Sequence, residues 1–240
     1  MEHFEIKKST TDEIRARFDA DVERFSNLET GQQTIMDAPL GLELITGAAA
    51  RLHWQATAVL DIGCGAGNFT LKLLEKLPGL DCTLVDLSRP MLDRAADRVS
   101  AVTSGKVITV QADIRTADLT AQGYDIILAG AVFHHLRSTE EWRAVFSNMY
   151  HLLKPGGGIW ISDLVSHEPP ALENLFRERY ADYLENIGGQ AYQQRVFAYI
   201  DEEDTPRSTA FQLLLLKECG FSAVEILHKN TCFAAFGAVK

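Results

Sequence analysis

Three glycines at alternate positions, Gly63, Gly65 and Gly67, follow Asp61 and the apolar run that ends at Ile62, and they precede the helical spacing of Phe69, Leu71, Leu73, Leu74 and Leu77. Strand, tight turn and helix in that order make a loop whose main chain a ligand can approach closely, because no Cβ stands in the way. A second acid, Asp86, ends the compact strand predicted over 81–85. It lies about 20 residues beyond the glycines, where a carboxylate can accept two hydrogen bonds from ribose hydroxyls. Asp113 follows the strand predicted over 107–110, and Asp163 follows that over 159–162. Parallel strands deliver such side chains to one place, the carboxyl edge of the sheet near the point where strand order reverses. His134 and His135, past the strand predicted over 124–128, add imidazole chemistry: a general base near neutral pH, part of a metal site, or a cap on the next helix.

The identity of the ligand turns on detail. A dinucleotide loop wants a further glycine where Asn68 stands, and a pyrophosphate at a helix N-terminus is poorly served by Asp61. A ligand carrying positive charge is attracted by that acid. Taken in chain order, these motifs resemble the class I S-adenosylmethionine-dependent methyltransferase family over roughly residues 40–240. S-adenosylmethionine has a sulfonium and an ammonium group and no phosphate, in keeping with Asp61. The resemblance implies S-adenosylmethionine as cofactor and a site made of Asp61, Gly63, Cys64, Gly65, Gly67, Asp86, Leu87, Met91, Asp113, Ile114 and Ala129. In it Leu87 packs on adenine with Met91 nearby, Asp113 takes the adenine amino group, and the neighbouring Ile114 amide addresses the ring. Thr30, Gln32 and Gln33, before the first strand, are implied to close over the pocket.

The same resemblance has segment 129–136 line the sulfonium end of the cofactor and the methyl-acceptor pocket. His134, His135 and Asp163 are the candidate catalytic residues, a base being needed only where the nucleophile arrives protonated. A similar histidine pair is frequent in the family without a metal, and no metal ligands are assigned. His167 is a further candidate. Residues 168–204 depart most from the family. Their spacing predicts two amphipathic helices separated at Gly188-Gly189, whose aromatic residues and Arg179 or Arg195 could shape the acceptor pocket, pack as core or meet a second copy of the chain.

Other elements frame these residues. Ser9, Thr10 and Thr11 before Asp12 and Glu13, a capping-box arrangement, then Ile14, Phe18, Val22, Phe25 and Leu28, predict one amphipathic helix. A second helix starts at Pro39, and Ser88 or Arg89 opens another before Pro90. The run 154–158 is predicted to turn between helix and strand, Asp204-Thr205-Pro206 to start a last helix, and Lys229-Asn230 to turn a closing hairpin. The fold expected is a doubly wound, Rossmann-like α/β sheet of seven strands, the last antiparallel as the resemblance implies. It forms a single domain over 1–240, with an N-terminal helical cover (1–38) and a helical insertion (168–204).

The chain of 240 residues, 46% of them hydrophobic, can bury one sizeable core. A formal charge of −10 opposes the long-range attraction on which nucleic-acid binders rely. The four cysteines are scattered and read as reduced thiols. No apolar run approaches the roughly 18 residues that span a bilayer, and the N-terminus has no apolar leader, so a cytoplasmic protein is expected. The partner expected is a small-molecule acceptor, without nucleic acid or membrane, and a homodimer stays open. Two rivals stand beside a methyltransferase: a carboxy-S-adenosylmethionine synthase, resembled at Asp113-Ile114-Arg115 and in the closing hairpin but not at the histidine pair, and a non-catalytic S-adenosylmethionine-binding module.

Overall fold

The structure is a computed structural model describing residues 8–27 and 31–240. Leu28 and Thr30, expected on the first helix and at the pocket, lie outside the described residues. The strands β1 (Ala58–Ile62), β2 (Asp81–Asp86), β3 (Val107–Gln111), β4 (Tyr124–Gly130), β5 (Leu153–Leu164), β6 (Ala223–Asn230) and β7 (Phe233–Val239) form one sheet in the order β3-β2-β1-β4-β5-β7-β6. β1 to β5 pair in parallel, and β7 runs antiparallel to both β5 and β6. Strand order reverses between β1 and β4, which makes the crevice at their carboxyl ends the ligand-binding switch point of such a sheet.

Helices α1 (Thr11–Asp19), α2 (Val22–Ser26), α3 (Ala38–Leu52), α4 (Asn68–Leu74), α5 (Arg89–Ser100), α6 (Thr139–Leu152), α7 (Pro170–Gly188), α8 (Gln190–Glu203) and α9 (Thr209–Glu218) complete the order. Alternation along β1 and β4 splits their side chains between two cores. Leu60, Ile62 and Ile127 pack with Trp142 and Phe146 of α6 and Leu216 of α9. Val59, Ile126 and Leu128 pack with Ile45 of α3, Leu73 of α4 and Leu92 of α5. Helices therefore cover both faces, and the central strands are mostly apolar because neither face meets water; Asp61 of β1 is the buried exception.

The boundaries depart from the sequence reading in four places. The single N-terminal helix is two: the amides of Ala20 and Asp21 bond back to Arg17 and Phe18, and the Asp21 carboxylate takes Arg24 at the start of α2. The 154–158 run lies within β5, which slips between Tyr124↔Leu153 and Ile126↔Gly158, so these residues form an excursion in the strand, with Gly156 at φ +77°. The last helix is opened by Ser208, whose hydroxyl accepts from the Phe211 amide, and Asp204 instead ends α8. The hairpin turns at Thr231-Cys232, with Thr231 at φ +49°.

Candidate active site

A cavity of about 940 Å³ opens at the carboxyl ends of β1, β2 and β4, within the range of small-molecule and cofactor sites. Its floor is the glycine loop. Gly63 sits at φ +59°, and a Cβ there would fall 2.4 Å from Val132 Cγ2, so the crossing of this loop with the β4 exit requires glycine. Gly65, at φ +50°, has nothing within 4 Å of where a Cβ would stand and lines the cavity, as a main-chain cradle requires. Gly67 does not line it; a Cβ there would meet Val99 and Ala95, so its role is close packing of the loop on α5.

Asp86 is the acid the loop folds around. Its Oδ2 accepts from the Gly65 amide at 2.8 Å and its Oδ1 from the Ser88 amide at 2.9 Å. Burial raises its carboxyl above the usual range, against the pull of these amides. Each oxygen retains a further lone pair, and the residue lines the cavity. Leu87, Met91, Asp113, Ile114 and Cys64 line it as well. Asp113 is held by Arg115, whose Nε donates at 2.9 and 3.0 Å and whose guanidinium also reaches Glu141 and the Thr11 hydroxyl of α1. Burial alone would raise Asp113; Arg115 outweighs it and holds the carboxyl low.

Asp61 and Ala129 are corrected by the structure. Both are 1% exposed and neither lines the cavity. Alternation along β1 puts Asp61 on the Val59 face, beneath α4, where its Oδ2 accepts from the Thr70 hydroxyl at 2.6 Å and the Thr70 amide at 3.2 Å. It ties the end of β1 to α4 and so shapes the loop rather than facing a ligand. Burial lifts its carboxyl to about 7. Ala129 points into the α6 core, and Gly130, Ala131 and Val132 line the cavity in its place.

At the other end His134, His135 and Asp163 come together, joined by Asp204. His134 and Phe133 form a short turn after β4. His134 Nδ1 pairs with Asp163 Oδ1, while Asp163 Oδ2 accepts from the Phe133 amide at 2.8 Å. His134 Nε2 lies 3.6 Å from Asp204 Oδ1, and His135 Nδ1 3.3 Å from the same oxygen. Burial alone would lower His134, but the Asp204 and Asp163 carboxylates overcome it and lift the imidazole to about 9. His135 is lowered, by burial first and by His134 second. Asp204 escaped the sequence reading because Asp-Thr-Pro looks like a helix start; nothing local marks it as a partner of the pair. His167 does not reach the cavity and pairs with Glu173 at 3.1 Å.

The roof comes from the N-terminal helices and from α7 and α8. Arg17 of α1 makes a two-pronged bond to buried Glu203 of α8, at 2.8 Å through Nε and 2.5 Å through Nη2. Tyr180 and Tyr183 of α7 donate to the carbonyls of Thr34 and Gln33. Phe18, Phe25, Gln32, Tyr192, Arg195 and Tyr199 thereby line the cavity, whereas Gln33 and Arg179 do not.

Residues 60–159 match the family model described as "Methyltransferase domain". An uncharacterized methyltransferase of Mycobacterium tuberculosis is 34% identical over 116 residues, 48% of this chain and 53% of the relative, so the match spans about half that relative's length. The carboxy-S-adenosyl-L-methionine synthase of Chromohalobacter salexigens is 30% identical over 210 residues, 81% of this chain and 73% of the relative. The chain belongs to the class I S-adenosylmethionine-dependent methyltransferase family. The fold of human N-acetylserotonin methyltransferase, solved in complex with S-adenosylmethionine, agrees with it at a TM-score of 0.60 and 17% identity, over 94% of this chain and 56% of that one. S-adenosylmethionine is the family's cofactor, and the residues here fit it: Gly65 leaves the main chain open where a Cβ would stand, and Asp86 faces the cavity with acceptor capacity to spare.

Proposed function

We propose that this methyltransferase-family protein is an enzyme that transfers the methyl group of S-adenosylmethionine to a small-molecule nucleophile. The observation that carries the reading is a single cavity holding the Gly65–Asp86 cradle at one end and the His134–Asp163 pair at the other. When bound, S-adenosylmethionine supplies an electrophilic methyl group on a sulfonium. Asp86 is proposed to accept the ribose hydroxyls, Leu87, Met91 and Ile114 to enclose the adenine, and Asp113 to take its amino group. Displacement at carbon asks chiefly for alignment in a water-poor space. The roof clamped by Arg17 and Glu203 covers part of the cavity, and His134, His135 and Asp163 are proposed to present polar atoms that orient an acceptor hydroxyl or amine.

No helix among the described residues is long and apolar enough to cross a membrane. A small acceptor is favoured by the aromatic walls that Phe18, Tyr192 and Tyr199 give the cavity.

A second reading is a carboxy-S-adenosylmethionine synthase, favoured by the length of chain shared with the Chromohalobacter salexigens relative. Mass spectrometry of the purified protein, native and then denatured, separates the two. Co-purifying S-adenosylmethionine or S-adenosylhomocysteine supports methyl transfer, and a carboxylated cofactor puts the second reading first. A nicotinamide dinucleotide would overturn both.

A further inference from the structure

Two polar atoms at the acceptor end are buried without an aligned hydrogen-bond partner among the described residues: His135 Nδ1 and Asp204 Oδ1. They stand 3.3 Å apart, and His134 Nε2 lies 3.6 Å from the same Asp204 oxygen. The three atoms all fall within 4.8 Å of one another. We propose that His134 Nε2, His135 Nδ1 and Asp204 Oδ1 bind a divalent first-row transition-metal ion.

The spacing suits an ion better than a pair of hydrogen bonds. A tetrahedral ion with nitrogen and oxygen ligands about 2.0–2.2 Å away sets those ligands roughly 3.3–3.6 Å apart. Leaving a carboxylate oxygen and an imidazole nitrogen buried and unaligned is costly, and an ion satisfies both at once. The ligand set, two histidines and one carboxylate, is one that zinc, iron and cobalt accept.

The surroundings supply what such a site needs. Asp163 pairs with His134 Nδ1, which keeps a proton on that nitrogen and leaves Nε2, beside Asp204, as the nitrogen from which an incoming metal displaces the proton. The Thr205 amide donates to the His134 carbonyl at 2.7 Å, which fixes Asp204 beside the histidines before any ion arrives. Cations stand near Asp204, and each is already engaged: Arg137 by the Glu203 carbonyl and the Thr205 hydroxyl, Arg17 by the Glu203 carboxylate, and Lys8 by the Asp201 and Asp204 carbonyls. All three ligands line the cavity, so the remaining coordination position is open to water or to an acceptor oxygen. Where the ion binds follows from these atoms; only its use, polarising an acceptor oxygen, rests on the methyl-transfer reading.

The test is titration of the chelator-treated full-length protein with Co²⁺, followed by visible d–d absorption, and with Zn²⁺, followed by calorimetry. The expected result is saturable uptake of a single ion per chain. Asp204→Asn and His135→Gln should each remove it with the circular dichroism spectrum unchanged. Asp163→Asn, which touches no ion, should weaken uptake about ten- to a hundredfold through His134. Asp86→Asn should lose S-adenosylhomocysteine binding and keep Co²⁺ uptake, so that failure of the cofactor reading is told apart from failure of the metal site. Absence of saturable uptake by the wild-type protein overturns the proposal. So does uptake unchanged in a folded His135→Gln variant, which decides the matter alone if Asp204→Asn does not fold.

Discussion

The two ends of the cavity are built in different ways. At the glycine-loop end, proposed above to hold the cofactor, the deciding contacts join residues close in the chain: Thr70 to Asp61 across 9 positions and Gly65 to Asp86 across 21. At the histidine end, proposed above to take the acceptor, Asp163 meets Phe133 across 30 positions, and the roof pairs Arg17 with Glu203 across 186. One end is a single strand–loop–helix unit and its neighbour; the other exists only once the N-terminal helices and α8 have packed together over the sheet. Local geometry fixes a cofactor site cheaply, whereas an assembled site can change its acceptor by altering the pieces that meet there.

The sharpest division should come from Asp86→Ala. Two charge-assisted hydrogen bonds lost at about 2 kcal/mol each imply a roughly thousandfold weaker Kd for S-adenosylhomocysteine by calorimetry. Unchanged affinity would sink the cofactor assignment at that end. His135→Ala should do the reverse, leaving that Kd alone while turnover on any accepted substrate falls about a hundredfold from lost alignment. Intact turnover in a variant that merely melts earlier would make the acceptor end a packing device.

Arg17→Ala tests whether the roof is an assembled element. It strands the Glu203 carboxylate, and because the arginine is partly exposed the expected loss in urea unfolding is about 1–2 kcal/mol. Amide exchange should quicken in α1 while the β1–α4 unit keeps its protection. Uniform loss of protection would mean that the two ends do not fold as separable units.

The smallest effect concerns pH. Asp61 has a folded carboxyl raised to about 7, above its unfolded value. The native state thus binds the proton more tightly, and its contribution to stability grows as pH falls from about 7 towards the unfolded pKa. Asp61→Asn, which can still accept from Thr70, should flatten that part of the melting-temperature profile between pH 5 and about 8. A profile as steep as the wild type's would assign the slope to another acid.

Much of the glycine-loop end was legible because its signals are local. Glycines at a strand exit, and an acid at the end of the next strand, have meaning within a short window, and Gly63, Gly65 and Asp86 stand where such meaning puts them. Asp61 was misjudged by the same window: spacing placed it beside the glycines, but strand alternation turned it under α4. The split of the first helix and the shift of the last helix start to Ser208 were missed because several polar residues there could each have made the cap.

By itself the sequence determined the doubly wound sheet, the glycine loop, an acid at the end of the next strand and the family, since periodicity and turn chemistry act between near neighbours. Only the tertiary structure decided which acid faces His134 and His135, and that Arg17, Phe18 and Tyr199 share a wall with them. Those choices depend on where α1 and α8 dock on the sheet edge, and docking is set by the fit of whole apolar and charged surfaces, which no short stretch of residues encodes.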